Sequence, residues 1–374
     1  MKIAILSDAL DLQYAGIHVY LRGLLNALTH TDRKNEYILV RPKAGGEFED
    51  VNEIVVPVLP LLPGHRRIRE FTSIPRRLIR EGVDVVVEPA HFGPFCLPKG
   101  IKRITIIHDL TPVLFPEFHP ALSSQVQKMT LPRILRKADC ILANSGYTKR
   151  DIEKRYPFCI EKIHVVFPGK ESIFQPARDA SVLEKYKIRQ PFLLSVGTIE
   201  PRKNLLTLLK SYESFRRLSE QPLQWVLVGK KGWKNESFFQ ALEVSPFRGD
   251  IILTGYTERL ELPVLYSMAR IFIYPSLYEG FGLPVLEAMS CGAPVLISNS
   301  SSLPEVGGDA ACYFDPTSEE ELTKKLIELS FDESKLLKMS ELSLIQASKF
   351  NWEESAERLI NIFQTWSDGS ESRT

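Results

Sequence analysis

The residues with the clearest chemical potential in this 374-residue chain are Glu279 and Glu287, eight positions apart in YEGFGLPVLEAMSCGAP at 278–294. Carboxylates accept hydrogen bonds from the vicinal hydroxyls of a sugar and are poor neighbours for a phosphate. Backbone amides at a helix start, by contrast, favour an anion such as a diphosphate. A glutamate on each side of an amide-lined anion site therefore suits a ligand built as polyol, phosphate and polyol, and a nucleotide sugar has that order.

The residues around the two glutamates predict a strand, a turn and a helix in that order. The apolar run 271–274 is too short for a helix and indicates a buried strand. The glycines of EGFG at 279–282 favour a turn, since glycine adopts backbone conformations closed to other residues. Pro284 suits the first turn of a helix and Gly292 suits its end. The first glutamate is then expected after the strand and the second about one helical turn further on, where open α/β sheets bind ligands.

Two glutamates at this spacing also fit a purely structural interpretation. Glu287 would then be a favourable charge in the first turn of a helix, and Glu279 a solvated loop residue. The glycines, the proline and the flanking strands favour the ligand site over this alternative.

A second polar stretch, SVGTIEPRKN at 195–204, follows another apolar run. Its Arg202 and Lys203 can neutralise a diphosphate, the arginine through a bidentate fork and the lysine as a point charge. A lone Arg-Lys pair is more often part of a solvated loop, but the position of this pair directly after a predicted strand favours binding.

The stretch EGFGLPVLEAMSCGAPV, with SSLPEVGG at 301–308 and FDP at 314–316 after it, resembles the donor-site signature of retaining GT-B glycosyltransferases. More narrowly, it is similar to glycosyltransferase family four, which holds many bacterial mannosyltransferases, and the resemblance covers nearly the whole chain. It implies an α/β fold of two Rossmann-like domains facing each other across a cleft, with a C-terminal helix crossing back to the first domain.

The resemblance also implies roles for residues of the signature. Glu287 would hold the ribose hydroxyls of the donor, and Glu279 would hold hydroxyls of the transferred sugar. The backbone amides of Phe281, Gly282 and Leu283 would contact the phosphate or the sugar.

The remaining donor residues of the second half follow from the same match. Arg202 and Lys203 are assigned to the diphosphate, next to Gly197 at the end of the preceding strand, although some family members carry an arginine at the position of Thr198. Gly255 and Tyr256 end another predicted strand near the expected base pocket.

The first half contributes two segments that resemble the family. Gly16, in YAGIH at 14–18, is expected in a glycine loop between a strand and a helix, whose amides face the donor phosphates and the acceptor. His108 and Asp109 follow the predicted strand in ITIIHDLTP; by the resemblance His108 contacts the donor sugar and Asp109 orients it or the acceptor hydroxyl. The plain alternative is a helix cap beside a hydrogen-bonded core histidine, and Ser145 is likewise a candidate helix cap.

Length favours two domains, and apolar runs that alternate with helical patterns indicate parallel α/β sheets. We predict an acceptor-binding domain at 1–170, joined by a final helix at about 353–374, and a nucleotide-sugar-binding domain at 171–352. The predicted strands are 2–7, 37–41, 84–88, 103–107, 140–143, 163–167, 192–196, 224–228, 250–253, 271–274 and 294–298.

Several classes of protein are disfavoured by what the sequence lacks. It shows no apolar run of membrane-spanning length and no signal peptide, so we expect a cytoplasmic protein. Five scattered cysteines indicate isolated buried thiols rather than a disulfide framework or a zinc site. The chain has no Asp-x-Asp motif, so no metal is expected, and no Gly-x-Gly-x-x-Gly fingerprint, which counts against an NAD-dependent dehydrogenase.

The small net charge of +1 hides an asymmetry between the halves. Residues 1–170 hold 25 Lys and Arg against 18 Asp and Glu, and much of this excess lies at 65–80. Such a run is usually a solvated face; here it is also a candidate contact with an anionic membrane or a phosphorylated acceptor. Contact with an anionic membrane would place the protein at the inner face of the plasma membrane. Nucleic acid is not an expected partner, because no matching motif is present.

These observations predict a metal-independent retaining hexosyltransferase that uses a GDP- or UDP-sugar, with mannose as the first candidate, and a glycan or lipid-linked acceptor. Two alternatives with the same fold remain open: a sugar-nucleotide epimerase, which acts without an acceptor, and a non-catalytic membrane-associated scaffold.

Overall fold

The computed structural model describes residues 1–12, 15–48, 51–58, 65–90, 96–219 and 223–371. The chain divides into two compact units, of which the first comprises Met1–Val113, Leu122–Gly169 and Asn351–Thr374. The second comprises Leu114–Ala121 and Lys170–Phe350. These limits lie within two residues of the predicted ones, except that 114–121, which we expected in the first domain, belong to the second unit.

The first unit is built on a seven-stranded parallel sheet with the order β3-β2-β1-β4-β5-β6-β7. The inner strands at 85–88 and 140–143 are buried along their whole length, as the continuous apolar runs predict for a parallel sheet covered on both faces. The strands are β1 (Lys2–Leu6), β2 (Glu36–Arg41), β3 (Asn52–Val55), β4 (Val85–Glu88), β5 (Lys102–Ile107), β6 (Cys140–Ala143) and β7 (Ile163–Val165). The edge strand β3 was not predicted.

Helices connect these strands and cover the sheet. They are α1 (Asp8–Leu12), α2 (Ala15–Thr31), α3 (His65–Phe71), α4 (Ser73–Arg80), α5 (Thr111–Leu114), α6 (Ala121–Lys137) and α7 (Gly146–Arg155). Ser145 is the N-cap of α7, since its hydroxyl accepts a hydrogen bond from the Thr148 amide at 3.0 Å. The cap interpretation of Ser145 is therefore confirmed.

The second unit has a six-stranded parallel sheet with the order β10-β9-β8-β11-β12-β13. Its strands are β8 (Phe192–Val196), β9 (Gln224–Val228), β10 (Ile251–Gly255), β11 (Ile271–Tyr274), β12 (Val295–Ser298) and β13 (Cys312–Phe314). Its helices are α8 (Ala180–Lys185), α9 (Leu205–Leu218), α10 (Glu236–Glu243), α11 (Leu262–Met268), α12 (Leu283–Ser290), α13 (Leu303–Gly307), α14 (Glu319–Ser330) and α15 (Glu333–Ala347). The edge strand β13 was also missed.

The final helix, α16 (Trp352–Glu371), belongs to the first unit. We predicted that a C-terminal helix would join this domain. Its Trp352 packs against Gly23 of α2 so closely that a Cβ on Gly23 would lie 2.2 Å from the indole. The same indole makes an edge contact with the ring of Tyr20, with 5.3 Å between the ring centroids. The helix is therefore part of the core of the first unit.

The basic segment 65–80 forms α3 and α4, and one of its arginines contradicts the expectation of a solvent-facing basic run. Arg69 is buried, 1% exposed, and its guanidinium contacts the carboxylate of Asp8 and the carbonyl of Val56. The side chains of Arg66 and Arg67 lie outside the described residues.

Two further expectations concern membranes and cysteines. In the part of the chain that the structure describes, no helix is both long enough and apolar enough to cross a membrane.

Cys140, Cys159 and Cys291 are buried thiols as expected, but Cys96 is exposed and Cys312 is half-buried.

Candidate functional site

The second unit brings predicted donor residues together at the carboxyl ends of the neighbouring strands β8 and β11. The loop after β8 carries Arg202 and Lys203, and the loop after β11 carries Glu279. The sheet order reverses between these strands, because β9 and β10 lie beyond β8 whereas β12 and β13 lie beyond β11. A reversal of this kind leaves a crevice for ligands at the carboxyl ends of the strands.

The charged groups of these two loops form one cluster, in which Glu279 and Lys203 are buried and Arg202 is half-buried. Lys203 Nζ lies 2.6 Å from Glu279 Oε1, and Arg202 Nη1 lies 2.6 Å from Glu279 Oε2. Arg202 also pairs with Glu200, with 2.7 Å between Nη2 and Oε1. Lys203 Nζ additionally donates to the hydroxyl of Tyr274, the last residue of β11. The structure thus adds Glu200 and Tyr274 to the three predicted residues.

The cluster fixes the protonation states of its members. Burial disfavours ionisation of Glu279, but the charges of Arg202 and Lys203 outweigh burial and lower the pKa of its carboxyl to about 2. Burial lowers the pKa of Lys203, and the Glu279 charge opposes this effect. At neutral pH Glu279 is therefore ionised, and its two carboxylate oxygens face Lys203 and Arg202.

Two serines hold the Glu279 loop in place. The Glu279 amide donates to Ser301 Oγ at 2.8 Å, and Ser302 Oγ donates to the carbonyls of Glu279 at 3.0 Å and Phe281 at 2.9 Å. Gly282 ends the loop with φ of +108°, a conformation that favours glycine. The predicted turn is therefore present, and the two serines hold it through one backbone amide and two backbone carbonyls.

The helix α12 begins at the end of this loop, with Gly282 as N-cap and Pro284 in its first turn, as predicted. The first intrahelical bond runs from the Val285 amide to the Gly282 carbonyl at 2.9 Å. The amides of Gly282 and Leu283 precede this bond, and such amides at a helix start have no intrahelical acceptor. Their predicted contact with phosphate or sugar has the required backbone geometry and stays a prediction.

Glu287 lies in α12, about one turn from the helix start, in a different environment from Glu279. The hydroxyl of Tyr266 donates to Glu287 Oε2 at 2.9 Å, and Arg259 Nη2 lies 3.7 Å from Oε1. Arg259 also pairs with Glu171. Burial raises the pKa of Glu287 to about 7, although Arg259 and Tyr266 oppose the shift. The two glutamates therefore differ: one is held ionised and the other titrates near neutral pH.

The loops after β8, β9 and β10 approach each other closely. The Gly229 amide donates to the Gly255 carbonyl at 2.9 Å, and a Cβ on Gly229 would lie 1.9 Å from the Gly197 carbonyl oxygen. Tyr256 is 61% exposed, with Lys230 Nζ 4.4 Å from the centre of its ring. The predicted donor residues Gly197, Gly255 and Tyr256 thus share one end of the sheet, and their role in a base pocket stays a prediction.

The first unit places His108 and Asp109 after β5. His108 Nε2 lies 2.7 Å from the Pro89 carbonyl, which can only accept, so Nε2 carries the proton and Nδ1 is an acceptor. Burial lowers the pKa of His108, which keeps the ring neutral at pH 7. Asp109 Oδ1 accepts from the Thr111 amide at 2.8 Å at the start of α5. The cap and the bonded histidine of the plain interpretation are both present, and the ligand contacts stay predictions.

Gly16 differs from its expected position. It is the second residue of α2 rather than part of a loop that precedes a helix, and it is exposed. The preceding Tyr14 lies outside the described residues. The helix α2 therefore begins about one turn earlier in the chain than we predicted.

No group of three or more His, Cys, Asp or Glu side chains arranged to hold a metal ion is found among the described residues. The positive charges beside the predicted diphosphate site are Arg202 and Lys203. Metal independence stays a prediction.

Comparison with known proteins identifies the family. Residues 182–343 match the model described as glycosyl transferases group 1, and residues 14–170 match the model described as glycosyltransferase family 4. O-antigen chain mannosyltransferase B of Escherichia coli is 35% identical over 280 residues, which are 73% of this chain and 74% of that protein. The chain belongs to the family 4 glycosyltransferases. The recognition made from the donor-site signature and the assignment as an enzyme are confirmed.

Two other matches extend this result. Serotype-specific mannosyltransferase WbdA of Escherichia coli is 34% identical over 273 residues, which are 70% of this glycosyltransferase but 33% of that longer protein. Sucrose-phosphate synthase of Thermosynechococcus elongatus superposes with a TM-score of 0.81 over 99% of this chain and 100% of the other, at 18% identity. The second likeness shows the fold alone, and the predicted GT-B fold is confirmed.

Several residues of the site were not singled out from the sequence as site residues: Glu200, Tyr266, Tyr274, Arg259 and the Ser301–Ser302 pair. Glu200 lies only two positions from its partner Arg202, but each of the others contacts a predicted residue that is distant in sequence, such as the 71 positions between Lys203 and Tyr274. Tyr274 carried one signal, because it is a polar group at the end of an otherwise apolar strand that faces the site.

Proposed function

We propose that this glycosyltransferase moves a hexose from a nucleotide-diphosphate sugar to a glycan or lipid-linked acceptor with retention of configuration. Mannose is the first candidate, because two relatives carry mannosyltransferase in their names. The observation that carries the proposal is the cluster of Glu279, Lys203 and Arg202 at the reversal point of the second sheet.

The ligand-free cluster supports this role through an exchange of partners. A diphosphate offers the two cations stronger acceptors, since charge-assisted bonds to phosphate are favourable for both side chains. Glu279 is ionised in the ligand-free cluster, where its pKa is about 2, and its carboxylate then accepts hydroxyls of the transferred sugar. Glu287 accepts the ribose hydroxyls in its carboxylate form, and the amides of Gly282 and Leu283 face the phosphates.

The chemical step needs charge stabilisation on the departing diphosphate. Arg202 and Lys203 supply it from fixed positions, which is effective in a buried site where reorganisation is small. The sugar passes through an oxocarbenium-like state, as in glycoside hydrolysis. In front-face attack, a donor phosphate oxygen takes the proton of the acceptor hydroxyl as the new glycosidic bond forms. Glu279 acts here by holding the sugar and forms no covalent intermediate.

A thermal-shift screen against GDP-mannose, GDP, UDP-glucose, UDP and ADP-glucose, with and without EDTA, tests the donor site and its base. Saturating binding at a hundredfold excess over Kd stabilises the folded state by roughly 2.7 kcal/mol. We expect a selective shift with the guanine nucleotides that EDTA leaves unchanged. A shift that EDTA abolishes would refute metal independence, and no shift with any nucleotide would refute the donor site.

Product analysis separates transfer from epimerisation. The purified enzyme is incubated with GDP-mannose and octyl α-mannoside, and NMR of the product reads its anomeric configuration. Retention predicts a new α-linked mannoside and GDP release that depends on the acceptor. A β-linked product would refute retention, and conversion of the donor sugar without acceptor would favour the epimerase.

We also propose that the protein contacts the membrane surface, and the exposed side of α4 supports this contact. Arg76, Arg77 and Arg80 are exposed next to Ile79, which is 51% exposed. Basic groups attract an anionic surface, and an exposed apolar side chain between them can enter the interface. Arg69 takes no part in this face because it is buried.

Vesicle co-sedimentation tests this contact. Replacing Arg76, Arg77 and Arg80 by Ser is expected to weaken binding to vesicles that contain 30% phosphatidylglycerol, in a salt-dependent way, without changing soluble GDP binding. Replacing the exposed Lys324, Lys335 and Lys338 of the second unit by Ser removes the same charge elsewhere and is the control. Equal binding of the α4 variant and the wild type would refute the proposed surface.

A further inference from the structure

The hydroxyl of Tyr274 lies inside the charged cluster although the rest of the side chain belongs to the core. Tyr274 is 2% exposed at the end of β11, and its ring stacks on that of Phe272 with 5.8 Å between the centroids. A phenylalanine would fill this space equally well. The presence of a hydroxyl therefore calls for a polar reason, since a buried hydroxyl without a partner is costly.

That partner is the ammonium of Lys203. Nζ donates to the Tyr274 hydroxyl and, at 2.6 Å, to Glu279 Oε1. Burial, and after it the charge of Glu279, raises the pKa of the phenol, so the phenol stays neutral. The ammonium thus lies between the phenol and the carboxylate and contacts both.

The contact with Tyr274 restricts the position of the Lys203 ammonium. A lysine side chain carries its charge on a flexible four-carbon stem, whereas a phenol in a packed strand has a fixed direction. Lys203 and Tyr274 also line a cavity of about 10 Å³, room for roughly one water, so the ammonium has little space to move away.

We propose that Tyr274 is a positioning residue for glycosyl transfer, whose hydroxyl holds the Lys203 ammonium in place beside the Glu279 carboxylate. The assignment rests on the proposed function of Lys203 and Glu279. It concerns the hydroxyl alone, because the ring has a separate role in packing.

The test is Tyr274→Phe, assayed as initial GDP release from GDP-mannose with octyl α-mannoside over a range of pH. We expect kcat to fall at least tenfold with KM for GDP-mannose changed less than threefold, because charge on the leaving diphosphate develops in the transition state. The alkaline limb of the rate profile should move to lower pH, since an ammonium that loses an acceptor releases its proton more readily.

Tyr212→Phe is the matched control, because Tyr212 is also fully buried in the second unit and its hydroxyl donates to the Leu223 carbonyl at 2.7 Å. It removes one buried hydroxyl and should leave kcat and the pH profile unchanged. Wild-type kcat and an unmoved alkaline limb in Tyr274→Phe would overturn the proposal.

A double substitution tests whether the Tyr274 hydroxyl affects kcat through Lys203. In a Lys203→Met background, Tyr274→Phe should cost less than a further twofold in kcat, because the group it positions is gone. Losses that multiply would show that the hydroxyl acts independently of Lys203 and would refute the assignment. If Lys203→Met itself retains wild-type transfer, the proposed function of Lys203 fails, which is a separate result from a failure at Tyr274.

Discussion

Replacing Glu287 by glutamine is expected to stabilise the ligand-free protein while it weakens nucleotide binding. The Glu287 side chain is 12% exposed, and burial raises the pKa of its carboxyl from the ordinary 4.5 to about 7. The folded state therefore holds this proton more tightly than the unfolded chain does. The corresponding stability is fully present below pH 4.5 and is lost as the pH rises through 7.

The size of this effect follows from the two pKa values. One pKa unit corresponds to about 1.4 kcal/mol. Relative to its fully protonated state at low pH, the Glu287 carboxyl therefore lowers the free energy of unfolding by about 1 kcal/mol at pH 5 and about 3 kcal/mol at pH 8. A glutamine does not titrate, and its oxygen still accepts from the Tyr266 hydroxyl, which lies 2.9 Å from Oε2. The stability advantage of Glu287→Gln should therefore grow with pH.

Denaturation of the ligand-free protein between pH 5 and pH 8 measures the stability difference, and calorimetric titration with GDP measures binding. GDP affinity of Glu287→Gln should fall by about 10- to 100-fold, because a hydrogen bond to a charged group contributes about 1.5–3 kcal/mol. Glu341→Gln, at an exposed position of α15, is the control and should change neither quantity. A stability difference that is constant with pH, or that favours the wild type at pH 8, would refute this reasoning.

Three further substitutions test other parts of the structure. Glu279→Gln removes the counterion of two cations; it should lower the free energy of unfolding by about 3 kcal/mol in denaturation and reduce transfer at least ~100-fold, and a fully active variant would contradict the site. Arg69→Met breaks the buried pair with Asp8 and should cost about 3–5 kcal/mol in the same assay, whereas Arg76→Met at an exposed position should stay within about 0.5 kcal/mol; equal effects would disprove the burial of Arg69. Gly229→Ala places a Cβ 1.9 Å from a carbonyl oxygen at φ of +153° and should lower the melting temperature, while a Cβ at Gly249 meets nothing within 4 Å; similar melting temperatures for Gly229→Ala and Gly249→Ala would contradict the close approach.

The elements of the fold were predictable where both faces of a strand are buried. The run 271–274 is buried at every position, and it forms β11 with the predicted bounds. The missed strands β3 and β13 both lie at the edges of their sheets, and β3 buries only Ile54 fully. An edge strand needs few apolar residues, so its sequence resembles that of a loop.

The types of the site residues were also readable from the sequence, but their mutual contacts were not. Glu279, Lys203 and Arg202 were expected near one ligand, each with its own part of it. The structure shows them paired with each other, and this pairing sets the pKa of Glu279. The opposite shift at Glu287 arises from burial, which depends on packing that spacing within one motif does not encode.

The chain's own sequence determined the alternation of strands and helices, the glycine turn before α12 and the chemical groups available at the strand ends, because these depend on near neighbours. Only the tertiary structure decided which groups face water and which face each other. Arg69 and Arg76 belong to the same basic run, yet Arg69 is buried against Asp8, 61 positions away, and Arg76 is exposed. Burial and pairing depend on such distant contacts, and the folded chain alone brings them together.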